Sequence, residues 1–168
     1  FTDGSGNNNT AATQFTWTYD SSNPTMTITA ADVSGNAVSS GSTTNDASII
    51  LTFTSSEATT DFVEGDITLS GGSLNSSFTG SGTTYTATFT PSGDATYTFD
   101  VAGSTFTDGS GNNNTAATQF TWTYDGTGPT MTITSTTVNS GDTSNDSTIA
   151  LTFTSSEATT DFVEGDIT

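Results

Sequence analysis

The sequence predicts an all-β protein made of tandem immunoglobulin-like β-sandwich repeats, each with about seven antiparallel strands. Three observations support this prediction: long blocks of sequence recur, apolar residues alternate with threonine or serine, and glycine-rich turn clusters separate the alternating segments. A repeat of roughly 100 residues is too long for a solenoid unit and matches an independently folded domain. No segment shows the period of an amphipathic helix.

The repeats are present as identical copies. FTDGSGNNNTAATQFTWTYD occurs at residues 1–20 and again at 106–125, and LTFTSSEATTDFVEGDIT occurs at 51–68 and again at 151–168. The first offset is 105 (106 − 1) and the second is 100 (151 − 51), so about five residues near DVSGN, at 32–36, are missing from the later copy. We expect a loop there, because loops tolerate insertions.

The order of the blocks predicts the domain organisation. Residues 1–20 are predicted to be the last strand of a preceding repeat, residues 21–125 a complete repeat, and residues 126–168 the first strands of the following repeat. We therefore expect this chain to be a segment of a longer polypeptide.

Six strands follow from strict alternation along the complete repeat. β-Branched threonine occupies many of the intervening positions, as expected for the solvent-facing side of a strand. A seventh, shorter strand is predicted at residues 74–78, and turn clusters such as SGN, SGG and PSGD separate the strands. We expect Leu51, Phe53, Phe89, Phe99 and Trp122 to lie in the core. In chain order, the alternating residues are Met26 and Ile28; Ile49, Leu51 and Phe53; Ile67 and Leu69; Tyr85, Ala87 and Phe89; Tyr97, Phe99 and Val101; and Phe120, Trp122 and Tyr124.

The charge of the chain is entirely acidic. Eighteen aspartate and glutamate residues face no lysine, arginine or histidine, which gives a net charge of −18. Such a chain repels nucleic acid and anionic lipid, and it has no apolar run long enough to cross a bilayer. We therefore expect no nucleic-acid binding and no membrane insertion. Paired carboxylates such as Glu64 and Asp66 have no histidine, cysteine or lysine to cooperate with, so we predict no enzyme activity.

Several separated motifs resemble a known family. LTFTSSEATTDFVEGDIT, GSGTTYTATFTPSGDATYTFDVAGSTFTDGSGNNNTA and DGTGPTMTIT, in that order, look like the bacterial Ig-like repeats of giant secreted adhesins and biofilm surface proteins. The resemblance implies a stalk or fibre-forming segment, located outside the cell at the bacterial surface or in the matrix. It also implies stiffening by Ca²⁺, with adjacent repeats or other copies of the chain as partners.

The carboxylates are expected to gather at the ends of the repeat. If strand directions alternate, the loops at residues 55–66 and 103–114 lie at the pole where the chain enters. That pole would hold Asp20, Glu57, Asp61, Glu64, Asp66 and Asp108, and the opposite pole would hold Asp32, Asp46 and Asp94, near Asp125, Glu157 and Asp161 of the next joint.

Carboxylates without a cationic partner repel one another, and Ca²⁺ accepts six to eight oxygen ligands from flexible loops. We therefore expect Ca²⁺ to bind these carboxylates and stiffen the joints between repeats. Two other interpretations stay open at this stage: simple solvation of acidic loops, and adaptation of the surface to salt.

Rows of threonine suggest a second function. TFTWTYD, TMTIT, LTFTS and TYTATFT place threonine at alternate positions, and such a surface could bind ice or a carbohydrate. The simpler interpretation is that threonine suits exposed strand positions. A flat array of threonines from neighbouring strands would favour the binding function.

Overall fold

A computed structural model describes residues 1–75 and 77–168 of the chain. Eight strands form a closed sandwich, and a two-stranded hairpin follows it. Short 3₁₀ turns at Glu64–Asp66 and Glu164–Asp166 are the helical elements of the described residues, and neither is long enough to cross a membrane. The strands are β1 (Met26–Asp32), β2 (Ala37–Val38), β3 (Thr43–Thr44), β4 (Ile49–Thr59), β5 (Ile67–Leu69), β6 (Thr79–Phe89), β7 (Ala95–Val101), β8 (Phe120–Tyr124), β9 (Met131–Ser135) and β10 (Leu151–Ser155).

The sandwich consists of two four-stranded sheets, with strand orders β2-β1-β4-β6 and β3-β8-β7-β5. All strand pairs are antiparallel except β3 with β8, which is parallel and joins Thr43 to Thr123 and Thr44 to Tyr124. β9 and β10 form a separate antiparallel pair. The predicted immunoglobulin-like β-sandwich is therefore confirmed.

The core lies between the two sheets and is built by the alternating side chains. Leu51, Phe53, Phe89, Phe99 and Trp122 are all 0% exposed, which confirms the predicted core. Aromatic rings dominate it, with the Phe89 and Phe99 ring centroids 4.8 Å apart at an interplanar angle of 90°. Burial of each such side chain contributes about 1.5–3 kcal/mol, so these rings hold the two sheets together.

Of the predicted seventh strand at residues 74–78, the described residues 74, 75, 77 and 78 belong to no strand, and Ser76 lies outside the described residues. Leu74 is buried and only Ser73 forms an isolated bridge, with Thr90. Ser77 interacts with the edge of β6 through its side chain, because its hydroxyl accepts from the Thr88 N–H (2.6 Å) and donates to the Thr88 carbonyl (3.2 Å). Ser77 therefore bonds to the β6 edge through its side chain and not through a regular ladder.

Strand direction defines two poles of the sandwich. β1 begins at the pole that we call proximal, where β4 and β7 end, and β8 ends at the opposite, distal pole. The loops after β4 and after β7 therefore lie at the proximal pole, and the loop between β6 and β7 lies at the distal pole. The incoming and outgoing chain thus meet the domain at opposite ends.

Candidate functional site

Three carboxylates meet at the proximal pole. Asp20 precedes β1, Glu57 lies near the end of β4, and Asp108 belongs to the loop between β7 and β8. One carboxylate oxygen of each lies within 4.8 Å of those of the other two, and we call these residues the proximal triad. Across residues 1–75 and 77–168, this is the one group of three or more potential metal-ligating side chains that the structure brings together.

Asp108 is fixed by the five-residue turn DGSGN. Its Oδ1 accepts hydrogen bonds from the backbone N–H groups of Ser110 (2.8 Å) and Asn112 (2.9 Å), and its Oδ2 accepts from the Asn112 side chain (2.8 Å). The turn requires a positive φ of 88° at Gly111, which glycine adopts without a steric penalty. The sequence of this turn therefore sets the direction of the carboxylate.

Asp20 is held by the same loop. The Ser110 hydroxyl donates to Asp20 Oδ2 (2.9 Å), and the Asn112 side chain donates to the Asp20 carbonyl (3.4 Å). The remaining oxygen, Oδ1, accepts from the backbone N–H of Ser22 (3.0 Å). Neither Ser110 nor Asn112 was among the residues predicted for the site, although their place in DGSGN was a sequence signal for a loop of polar side chains.

The electrostatics of the triad set Glu57 apart. Partial burial, followed by repulsion from Asp20 and Asp108, raises the pKa of Glu57 above its ordinary value. The pKa of Asp20 is lowered by the Ser22 N–H and the Ser110 hydroxyl, and the pKa of Asp108 is lowered mainly by the Asn112 side chain. Glu57 is therefore the one member of the triad whose charged form is disfavoured by its surroundings.

The other predicted residues of the proximal pole are used in different ways. Asp61 accepts from the backbone N–H (3.0 Å) and the hydroxyl (2.8 Å) of Thr107, which ties the loop after β4 to the loop after β7. Asp66 accepts from the Val63 N–H (2.9 Å) within its own 3₁₀ turn, and Glu64 is exposed in the same turn. The structure does not bring these three into the triad.

The carboxylates of the distal pole are engaged separately. Asp32 lies in the turn DVSGN, where the Asn36 side chain donates to its Oδ2 (2.6 Å), and Asp46 accepts from the Thr44 hydroxyl (2.7 Å). Asp94 binds the segment that leaves the domain after β8: it accepts from the Gly126 N–H (2.7 Å) and from the Thr127 hydroxyl. Asp32 and Asp46 are thus engaged within their own turns, whereas Asp94 is engaged by a segment more than thirty residues away.

Two of the three predicted residues of the second joint occupy positions equivalent to members of the triad. By the sequence copies, Asp125 corresponds to Asp20, Glu157 to Glu57 and Asp161 to Asp61. Asp125 accepts from the Thr127 N–H (3.3 Å), while Glu157 and Asp161 are exposed. Within the described part of the chain these residues form no group of three with Asp94 or Asp32.

The outward threonines align across one sheet. In the β1-β4-β6 sheet, neighbouring strands pair in register so that threonines form two cross-strand rows, and a third row is interrupted by Ala31 and Ile50. The members of the two rows are half-exposed or exposed. They are Thr27, Thr54 and Thr84 in the first row, and Thr29, Thr52 and Thr86 in the second.

Comparison with known proteins identifies the domain but no individual relative. A family model described as bacterial Ig-like domain matches residues 20–124, which is most of the chain and spans the closed sandwich. No curated protein and no solved structure matches the chain significantly.

Proposed function

Because the chain belongs to the bacterial Ig-like domain family, we propose that it is a structural stalk or fibre segment of a secreted bacterial surface adhesin or extracellular matrix filament. Structural and surface-protein roles fit the family. In this proposal residues 21–125 are one complete repeat, and residues 1–20 and 126–168 belong to its neighbours. The identical sequence copies on both sides of the closed domain support this arrangement.

One structural observation carries the proposal: the chain enters the sandwich at one pole and leaves at the other. β1 begins at the proximal pole and β8 ends at the distal pole, so consecutive repeats add along one axis. The eleven-residue strand β4 spans about 36 Å at 3.3 Å per residue, which sets the length that each repeat adds. Extension by identical units is what a spacer requires.

The axial geometry can be measured directly. The chain has no cysteine, so Ser22→Cys and Gly128→Cys together accept two spin labels, one on the incoming linker (residues 20–24) and one on the outgoing linker (residues 125–129). We expect a label separation of about 35 Å from the strand length. A separation below about 20 Å would mean that the chain folds back, and the stalk proposal would be wrong.

The proposal includes Ca²⁺ at the proximal triad. Asp20 lies on the linker, whereas Glu57 and Asp108 belong to the domain, so an ion there would join the linker to the repeat that follows it. At millimolar Ca²⁺ and a dissociation constant on the order of 10 μM, binding would add about 2.7 kcal/mol. The observation that supports this site is the meeting of one oxygen from each of three carboxylates within 4.8 Å, in a chain that has no cationic side chain to offset their charge.

Matched variants test the ion. We expect Ca²⁺ to raise the melting temperature of the chain and of Glu64→Gln, but not of Glu57→Gln. Glu64 is the control because it lies at the same pole and outside the triad. Calorimetric titration with CaCl₂ gives the stoichiometry. An unchanged melting temperature in Ca²⁺ and in chelator for the unaltered chain would leave the triad as three solvated carboxylates.

A second candidate function is binding of ice or a carbohydrate surface by the two threonine rows. The cross-strand register of the six threonines favours it, because the rows are continuous across three strands. The test compares Thr29→Glu, in the middle of the array, with Thr83→Glu, an exposed threonine outside it. If the unaltered chain neither inhibits ice recrystallisation nor sediments with insoluble polysaccharide, the rows are only exposed strand surface.

A further inference from the structure

The two linkers of the chain, residues 20–24 and 125–129, show contacts to two different neighbours, and we infer that each linker is clamped from both sides. One set of atoms binds the repeat that the linker enters, and another set binds the repeat that it leaves. The inference rests on the proposed tandem arrangement and assigns the contact surface between successive repeats. It does not require a metal ion.

Both linkers begin with the same local turn. The Ser22 N–H donates to Asp20 Oδ1 at 3.0 Å, and the Thr127 N–H donates to Asp125 Oδ1 at 3.3 Å. Both linkers also end in proline, at Pro24 and at Pro129. Because the turn and the length agree, contacts seen at one linker can be transferred to the other.

Residues 20–24 show the contacts to the repeat ahead. Besides the bonds from Ser110 and Asn112 to Asp20, the Asn23 side chain donates to the Asn113 carbonyl (2.6 Å). The Thr115 N–H donates to the carbonyl of the buried Pro24 (2.9 Å). The loop after β7 therefore holds the linker at its first, fourth and fifth residues.

Residues 125–129 show the contacts to the repeat behind. Asp94, in the loop between β6 and β7, accepts from the Gly126 N–H (2.7 Å) and from the Thr127 hydroxyl. These are the second and third residues of the linker. Ser22 carries a hydroxyl at the third position of the other linker, so an equivalent of Asp94 would find the same two donors there.

The two sets of contacts share no atom. The repeat ahead uses the carboxylate and carbonyl of the first residue, the side chain of the fourth and the carbonyl of the fifth. The repeat behind uses the N–H of the second residue and the hydroxyl of the third. Both repeats can therefore hold one linker at the same time, which fixes the angle between them. Gly128 lacks the amide of Asn23, so the later linker has one fewer contact to the repeat ahead.

The contact of the linker with the repeat behind, made by Asp94, is tested by amide hydrogen exchange at Gly126 in the full chain, with chelator present. Asp94→Ala removes both acceptor oxygens, and we expect Gly126 to exchange about fivefold to tenfold faster, as the loss of one hydrogen bond of about 1 kcal/mol implies. Asp46→Ala is the matched control, because Asp46 is another distal aspartate that accepts a threonine hydroxyl. Unchanged methyl signals of the buried Leu51 verify that both variants are folded.

The contact of the linker with the repeat ahead is tested with Asn23→Ala, which removes the bond to the Asn113 carbonyl. We expect the amide ¹⁵N order parameters of residues 21–23 to fall, while those of residues 126–128 stay unchanged. The clamp is wrong if Gly126 exchanges in the unaltered chain at the rate of an unprotected amide, or if Asn23→Ala leaves residues 21–23 as rigid as before. Either result leaves the stalk and Ca²⁺ proposals in place, because those depend on the label separation and on the triad.

Discussion

The twenty residues FTDGSGNNNTAATQFTWTYD occur twice in the chain and lie in two different environments. In the copy at residues 106–125, Phe120 is 5% exposed and Trp122 is 0% exposed. In the copy at residues 1–20, the equivalent Phe15 is 90% exposed and Trp17 is 76% exposed. The later copy forms β8, whereas residues 15–19 form no strand.

The turn inside this sequence is nevertheless the same in both copies. Asp3 Oδ1 accepts from the N–H groups of Ser5 (2.9 Å) and Asn7 (3.0 Å), as Asp108 does from Ser110 and Asn112. The turn is therefore encoded locally by D-x-S-G-N, while the strand needs β7 and β3 as partners. One copy has these partner strands and the other does not, so comparing the copies separates what the local sequence contributes from what strand pairing contributes.

The largest expected effect is at the tryptophans. We expect Trp122→Ala to lower the free energy of unfolding by about 3–5 kcal/mol, because it removes a fully buried ring, and Trp17→Ala to change it by less than about 0.5 kcal/mol. Urea denaturation measures both. A loss of 1 kcal/mol or more in Trp17→Ala would show that residues 1–20 pack against the domain, which would end the contrast between the copies.

A smaller difference is expected at the asparagines that follow the turn. Asn114 is 3% exposed and its Oδ1 accepts from the N–H groups of Thr105 (2.8 Å) and Phe106 (3.0 Å). Asn114→Ala leaves both groups without this acceptor, so we expect a loss of about 2–3 kcal/mol. Asn9→Ala is the control at the equivalent exposed position. Equal melting temperatures for the two variants would contradict this expectation.

Next in size is the glycine of the turn. Gly111 and Gly6 have φ of 88° and 87°, and neither has a neighbour that an added Cβ would meet, so alanine introduces backbone strain alone. We expect Gly111→Ala to cost about 1–2 kcal/mol of domain stability. Gly6→Ala strains its own turn to the same degree without affecting domain unfolding. Thermal unfolding reports the effect on the domain, and the chemical shift of Asn7 reports the effect on the local turn. A lower melting temperature of the domain in Gly6→Ala would contradict the conclusion that the first turn is independent of the domain.

The smallest expected effect concerns pH. The asparagine side chain of each turn lowers the pKa of Asp3 and of Asp108 below 3.8, so both carboxylates should titrate low by NMR. Because the pKa of Asp108 is lower in the folded chain than in the unfolded chain, its carboxylate stabilises the fold at pH values above 3.8. This stabilisation is lost as the pH falls through the pKa of the folded state. We expect Asp108→Asn, but not Asp3→Asn, to flatten the loss of melting temperature below that pH. Glu57 has the opposite sign, because burial and then repulsion from Asp20 and Asp108 raise its pKa, so its ionisation destabilises the fold.

Most of the sandwich was predictable because alternation is a local property. Each predicted core position, from Met26 to Trp122, follows from its immediate neighbours in sequence. The short strands β2 and β3 were missed because two residues carry no period. β3 is defined only by its pairing with β8, about eighty residues away. The segment at 74–78 was predicted as a strand, but Ser77 satisfies the β6 edge through its side chain.

The candidate site was predicted at the level of the pole but not of the individual carboxylate. Strand direction places the loops, and this places Asp20, Glu57 and Asp108 at one end. Which carboxylates meet depends on the hydrogen bonds that each of them accepts. The sequence does not show which of the many nearby N–H and hydroxyl groups will donate to a given carboxylate. Asp61 is taken by Thr107, Asp66 by its own 3₁₀ turn and Asp94 by the outgoing linker.

The parallel pair of β3 and β8 has a mechanical consequence. Tension between the two ends of the domain pulls β1 toward the proximal pole and β8 toward the distal pole. β8 is bonded to β7 on one side and to β3 on the other, where the Thr123 N–H donates to Ser42 and the Asp125 N–H to Thr44. These bonds run across the direction of pull, so they are loaded in shear and must rupture together. We therefore expect the domain to resist stretching along the axis on which the proposed array extends.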